Sequence, residues 1–332
     1  MTSEAYNHIG VIGAGSWGTA LALAAARAGR QVSLWARDPE VAEDIQREHE
    51  NRRYLSGVSL PSGIAATASL EIAAAADALL LVIPAQHLRA WAIQLQSRVR
   101  PDAPLIVCAK GIERGSGKLM SEVLAEFFAA RQIAILSGPG FARDVAAGLP
   151  TAVTIAAQLD VAQHLQSALG HGSFRPYASD DVTGVALGGA AKNVYAIACG
   201  IVIGMGLGES ARAALLARSF SELGRLGEAL GARSETLMGL SGLGDLVLTA
   251  TSPTSRNFSF GLAIGKGASQ LELDVKGHPL AEGVATAPAL LARARDLAIE
   301  LPVAETTAAI LDGSLVLDAA IPRLMSRPFK AE

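Results

Sequence analysis

The chain has 332 residues, 50% of them apolar, and a formal net charge of only −3, with 28 basic and 31 acidic residues scattered along it. That length and apolar content supply one large domain or two domains with separate cores, and they argue against a disordered chain. The dispersed basic residues exclude the charged face that wraps nucleic acid or an anionic membrane, so any anion is bound locally. Cys108 and Cys199 each lie inside an apolar run, the pattern of reduced, buried thiols in a reducing compartment, here expected to be the cytoplasm. The polar N-terminus, Met1 to His8, shows none of the three regions of a secretory signal.

Short apolar runs of strand type alternate with helical segments through the first half. They fall at His8–Ile12, Val32–Ala36, Ala78–Ile83, Leu105–Ala109, Gln132–Ser137, Thr151–Ala157 and Phe174–Ala178. Several are apolar on both faces, as strands of a parallel sheet covered by helices must be. The expected fold is an α/β Rossmann-type doubly wound sheet over residues 1–178, followed by a mainly α-helical second domain over 179–332. In that second half, glycine and proline punctuate helical patterns at Ala211–Leu230, Ala287–Ala298 and Glu305–Leu311. The stretch Gly184 to Gly208 is apolar enough to raise a membrane span, but Lys192 and Asn193 interrupt it. It reads as a buried core helix, so no membrane span is expected.

The first strand ends in Val11-Ile12-Gly13-Ala14-Gly15-Ser16-Trp17-Gly18, and a helical pattern from Thr19 follows. This is GxGxxG between a strand and a helix. Gly13 permits the tight turn, Gly15 lets backbone approach a pyrophosphate, and Gly18 lets helix and strand pack closely. Ser16 and Trp17 share the turn and are grouped with the cofactor residues. The second strand ends in Trp35-Ala36-Arg37-Asp38. Arg37 can pair with a 2′-phosphate and so admits NADP, Asp38 keeps NAD open, and a solvated loop arginine is the plain alternative.

Lys192 is the cation set into the apolar helix pattern from Val182 to Ile197. An ammonium among apolar groups must be paired or surrender its proton, unless it snorkels to the helix edge. Lys110 follows an apolar strand, where ligands collect in such sheets. Asp245 stands in a glycine-rich turn before Leu246-Val-Leu-Thr249, where a carboxylate can cap a helix. Ser255-Arg256-Asn257 opens a helical pattern. Arg256 offers a fixed fork of donors for phosphate, and Ser255 and Asn257 either complete the shell or cap the helix. The six histidines have no companions at metal-ligand spacing, so no metal is expected.

Taken together, Gly10–Ala20, Lys110–Glu113, Ser137–Ala142, Lys192-Asn193, Gly242–Leu246, Ser255–Asn257 and Glu282–Val284 resemble the motifs of bacterial NAD(P)-dependent glycerol-3-phosphate dehydrogenases. The resemblance spans nearly the whole chain. It implies reversible, NAD(P)H-dependent reduction of dihydroxyacetone phosphate to sn-glycerol 3-phosphate for phospholipid synthesis. It implies Lys192 as proton donor and acceptor, and a substrate site of Lys110, Gly138, Gly140, Lys192, Asp245, Ser255, Arg256 and Asn257. For the cofactor it adds Lys110, Ala142, Arg256, Leu280 and Glu282 to the glycine turn and Arg37. The chain departs from the family where Gly140 replaces serine, Ala186 replaces glutamate, and Glu209-Ser210 replaces Asp-Asn. A related β-hydroxyacid dehydrogenase and an NAD(P) sensor without turnover are the competing readings. Monomer and homodimer both stay open.

Overall fold

A computed structural model describes residues 6–128, 133–275 and 281–326. Its strands are β1 (His8–Ile12), β2 (Gln31–Trp35), β3 (Ile64–Thr67), β4 (Ala78–Leu81), β5 (Leu105–Val107), β6 (Ile133–Ser137), β7 (Thr151–Ala156) and β8 (Phe174–Ser179). They form one sheet in the order β3-β2-β1-β4-β5-β6-β7-β8. β1 lies between β2 and β4, which puts the topological switch point, and with it the ligand crevice, at the carboxyl end of β1. All pairs are parallel except β6 with β7. The parallel sheet expected from the sequence is therefore reversed once: β7 and β8 run together, against the other six.

The apolar-on-both-faces runs have a direct structural cause. Along β4, Ala78 and Leu80 join one core while Leu79 and Leu81 join the other, and all four are buried. Successive side chains of a strand point to opposite faces, so a strand covered on both sides must be apolar throughout. The helix Ser16–Arg27 supplies Ala20 to Ala25 to the first core, and Leu88–Leu95 supplies Leu88, Ala92 and Leu95 to the second. β3, absent from the sequence reading, is a four-residue edge strand, Ile-Ala-Ala-Thr, paired among the described residues with β2 alone. Its two alanines carry little strand preference.

The chain divides into two compact units. The first holds the sheet and comprises the chain up to Lys110 together with Leu119–Ala186; the second comprises Gly111–Lys118 and the chain from Leu187. The division falls inside the helix Val182–Gly204 rather than at residue 178, because Val185 is part of the sheet unit's second core and Ala186 packs against it. Of the most apolar window of that helix, 89% is buried inside the protein.

The second unit is helical, and its helices approach by way of glycine. A Cβ on Gly200 would lie 2.1 Å from the Phe258 carbonyl oxygen, and one on Gly261 would lie 2.1 Å from that of Ile197. The helices Val182–Gly204 and Arg256–Gly265 therefore touch backbone to backbone. Gly283 is seated in the same way on the Asn193 carbonyl, at 2.5 Å for an added Cβ. These contacts fix the helix that carries Lys192 against the two helices that open on Arg256 and Glu282.

Candidate active site

In the sheet unit the glycine-rich turn sits at the end of β1. Gly13 has φ +120°, its N–H donates to the Trp35 carbonyl at 3.1 Å, and a Cβ there would meet the Val82 carbonyl oxygen at 2.4 Å. A Cβ on Gly18 would lie 1.8 Å from the Gly13 carbonyl oxygen. Gly15 is different, since an added Cβ meets nothing within 4 Å. It faces open space at the N-terminus of Ser16–Arg27, whose cap makes no side-chain hydrogen bond and whose first turn has no acidic residue. Free N–H donors and the positive end of the helix dipole are thus left for an anion. Ser16 Oγ donates to the Tyr54 carbonyl at 2.6 Å, and Trp17 Nε1 is buried with no hydrogen-bond partner. The open approach at Gly15 and this set of donors fit the pyrophosphate of NAD(P).

At the end of β2, Arg37 is exposed. Asp38 has both carboxylate oxygens engaged: Oδ1 accepts the Glu40 N–H at 3.1 Å, capping the next helix, and Oδ2 accepts Arg53 Nη1 at 2.8 Å. Arg53 lies in an irregular segment and was invisible to periodicity.

Further along the sheet, Lys110 Nζ donates to the Gly138 carbonyl at 3.1 Å, joining the carboxyl ends of β5 and β6. Gly138 has φ +147°, a conformation open to glycine. An added Cβ on Gly140 would sit 3.2 Å from Thr151 Cγ2 and 3.4 Å from Trp17 Cη2. A side chain at this position would press on the Trp17 ring and the Thr151 methyl. Ala142 opens the helix Ala142–Ala146. Ser137 Oγ, at the end of β6, is buried without a partner beside this cluster; the sequence reading did not single it out.

In the helical unit, Lys192 is 7% exposed and Asp245 1%. Lys192 Nζ donates to Asp245 Oδ1 at 2.5 Å and to Thr249 Oγ1 at 2.9 Å. The lysine is thus paired, the first of the two alternatives for an ammonium in apolar surroundings. The glycine-rich segment before Asp245 is a turn of π-helix, Leu240–Gly244, closed by the Gly244 N–H on the Gly239 carbonyl at 3.0 Å. It runs into the helix Asp245–Thr251, where Asp245 and Thr249 stand one turn apart on one face. Single-turn π segments recur where a functional side chain must be re-aimed. Thr249 was missed because Leu-Val-Leu-Thr reads as apolar filling.

Ser255 caps the helix Arg256–Gly265, its Oγ accepting the Phe258 N–H at 3.2 Å. Asn257 is a buried strut: its Nδ2 donates to Asn193 Oδ1 at 2.9 Å and its Oδ1 accepts the Gly283 N–H at 3.0 Å. Arg256, between them, is exposed at the first position of its helix. Glu282 is the first residue of Glu282–Asp296, whereas Leu280 lies outside the described residues. Glu209 lies in the first turn of the helix Gly208–Ala229 and pairs with Arg212 on its surface. Among the described residues no three His, Cys, Asp or Glu side chains are grouped to hold a metal ion.

Residues 8–162 match the family model described as the N-terminus of NAD-dependent glycerol-3-phosphate dehydrogenase, and residues 181–322 match its C-terminus. The chain belongs to this family. A glycerol-3-phosphate dehydrogenase (NAD(P)+) of Parvibaculum lavamentivorans is 53% identical over 99% of this chain and 99% of its own length. Its counterpart in a Bradyrhizobium species is 56% identical over 98% and 99%. The crystal structure of glycerol-3-phosphate dehydrogenase from Coxiella burnetii superposes with a TM-score of 0.92 at 37% identity, covering 97% of this chain and 99% of that one. Membership in the glycerol-3-phosphate dehydrogenase family separates this chain from the β-hydroxyacid reading.

Proposed function

We propose that the protein interconverts dihydroxyacetone phosphate and sn-glycerol 3-phosphate with NADP(H) or NAD(H), in the cytoplasm, and that it runs toward reduction to feed phospholipid synthesis. The observation that carries this reading is the buried Lys192–Asp245–Thr249 group in a chain whose relatives are named glycerol-3-phosphate dehydrogenase (NAD(P)+). When bound, the nicotinamide supplies the hydride that reaches C2, or takes it away.

Lys192 supplies the proton. As the C2 carbonyl becomes an alcohol its oxygen gains negative charge, and the Lys192 ammonium both stabilises that charge and donates H⁺ to it; in oxidation the amine takes H⁺ back. Asp245 and Thr249 both accept from the Lys192 ammonium, which holds the side chain in one rotamer. Pre-set orientation of this kind removes reorganisation at the moment of reaction. Arg256, exposed at a helix N-terminus, binds the phosphate as a planar fork of donors. Asn257 and Ser255 act mainly by holding that helix. Lys110 and Gly138 with Gly140 contribute to substrate contact, and Lys110, Ala142, Arg256 and Glu282 with the glycine turn and Arg37 to cofactor contact.

The test is absorbance of NADPH and NADH with dihydroxyacetone phosphate, beside a panel of β-ketoacids. Turnover of the phosphorylated triose alone supports the reading. Turnover of the ketoacids instead, or cofactor binding with no turnover, overturns it.

A further inference from the structure

In an NAD site the acid at the end of the second strand accepts a ribose hydroxyl with its carboxylate, and its charge repels a 2′-phosphate. Asp38 stands three residues beyond β2, at the N-cap of the next helix, and each of its oxygens already accepts a hydrogen bond. Oδ1 is committed to the Glu40 N–H and Oδ2 to Arg53 Nη1. Arg53 is held in turn. Its guanidinium lies 5.4 Å from the centroid of the Tyr54 ring, and the Tyr54 carbonyl accepts from Ser16 Oγ. The segment is anchored by Asn51, which is 1% exposed. Asn51 Nδ2 donates to the Ala14 carbonyl at 2.9 Å and to Thr19 Oγ1 at 2.8 Å, while its Oδ1 accepts the Tyr54 N–H at 3.2 Å. A loop of no regular structure is thus bolted to the glycine-rich turn, with its arginine delivered to Asp38.

We propose that Arg53 is a specificity-determining residue that disarms Asp38. Its guanidinium neutralises the carboxylate and competes at Oδ2 with a ribose hydroxyl, and so tips selection toward NADP alongside Arg37. Asn51 positions it. The inference rests on the proposed use of NAD(P), and it treats Arg53 as acting through Asp38 rather than as a phosphate ligand. The Arg53 side chain is 60% exposed, so its replacement leaves the core untouched.

The test is calorimetric titration of the full chain with NADPH and, separately, NADH. Arg53→Ala should raise the Kd for NADPH by about tenfold, the order of effect of one like-charge contact near a surface, and leave or lower that for NADH. Arg53→Lys, which keeps the charge, should restore most of the preference. In an Asp38→Asn background, which retains the helix cap, the effect of Arg53→Ala should fall below about twofold, as a double-mutant cycle requires of residues that act together. Equal shifts for both cofactors, no shift, or a shift undiminished by Asp38→Asn would overturn the proposal. If the unsubstituted chain bound neither cofactor, the proposed function itself would fall; binding of both with no effect at Arg53 removes only the present inference.

Discussion

Asn257 Nδ2 lies 2.9 Å from Asn193 Oδ1, so the residue next to Lys192 is tied to the helix that opens on Arg256. The same side chain takes the Gly283 N–H. Asn257→Ala strands that buried N–H and removes the strut, at a cost of about 2–3 kcal/mol. A lower melting temperature together with a lower kcat is expected. An unchanged melting temperature with kcat reduced would show that Asn257 serves a ligand and not the scaffold.

Arg256 separates the two roles of that helix end. Because the side chain is exposed, Arg256→Ala should change stability by less than about 0.5 kcal/mol. With dihydroxyacetone phosphate, kcat/KM should fall by about 10² or more, the order of losing a bidentate charged contact. A slow substrate without phosphate should be far less affected. Equal losses on both substrates would contradict phosphate recognition by Arg256.

Helix approach through glycine makes a stability prediction. At Gly200 even a methyl group would fall 2.1 Å from the Phe258 carbonyl oxygen. Gly200→Ala must push apart the helices carrying Lys192 and Arg256, at about 1–3 kcal/mol or more. Urea unfolding measures it, and a variant as stable as the parent would show that these helices are not held at this distance.

Glu222 predicts a pH dependence. It is buried, and it accepts the Val303 N–H at 2.6 Å and the Ala304 N–H at 3.3 Å at the start of the helix Pro302–Leu311. Burial outweighs these hydrogen bonds and pushes its carboxyl up from the usual 4.5 to about 7. Between those values the folded chain holds a proton that the unfolded chain releases, so stability falls as pH rises through this window and levels off above it. Glu222→Gln cannot ionise. Its stability relative to the parent should therefore grow from pH 5 to pH 8, read as the difference between urea midpoints. A constant difference would show an ordinary carboxyl.

What was legible in the sequence was what local pattern determines. The spacing Gly13, Gly15, Gly18 between a strand and a helix carries its own backbone requirement, and each glycine meets it in a different way. Lys192 stood out because a cation in an apolar helix needs an explanation. Thr249 did not, since a threonine at the end of an apolar run has no signature until Asp245–Thr251 is known to be helical. Arg53 and Asn51 act from an irregular loop, where neither period applies. The reversal of β7 was hidden for another reason. Strand direction depends on how the chain returns after Gly138-Pro-Gly140, and that is decided by tertiary packing.

Proton transfer by Lys192 is the central claim, and kcat of Lys192→Met with saturating dihydroxyacetone phosphate and cofactor tests it most directly. Removing the ammonium leaves Asp245 as a buried carboxylate without its cation, which costs about 3–5 kcal/mol. The variant is therefore made alone and with Asp245→Asn, which removes the stranded charge, and both are checked for a native circular dichroism spectrum. The expected result is a fall in kcat of at least ~10³ in folded protein, with partial recovery on adding small primary amines whose own pKa governs the pH dependence. A folded Lys192→Met protein that keeps more than about a tenth of kcat would contradict the assignment.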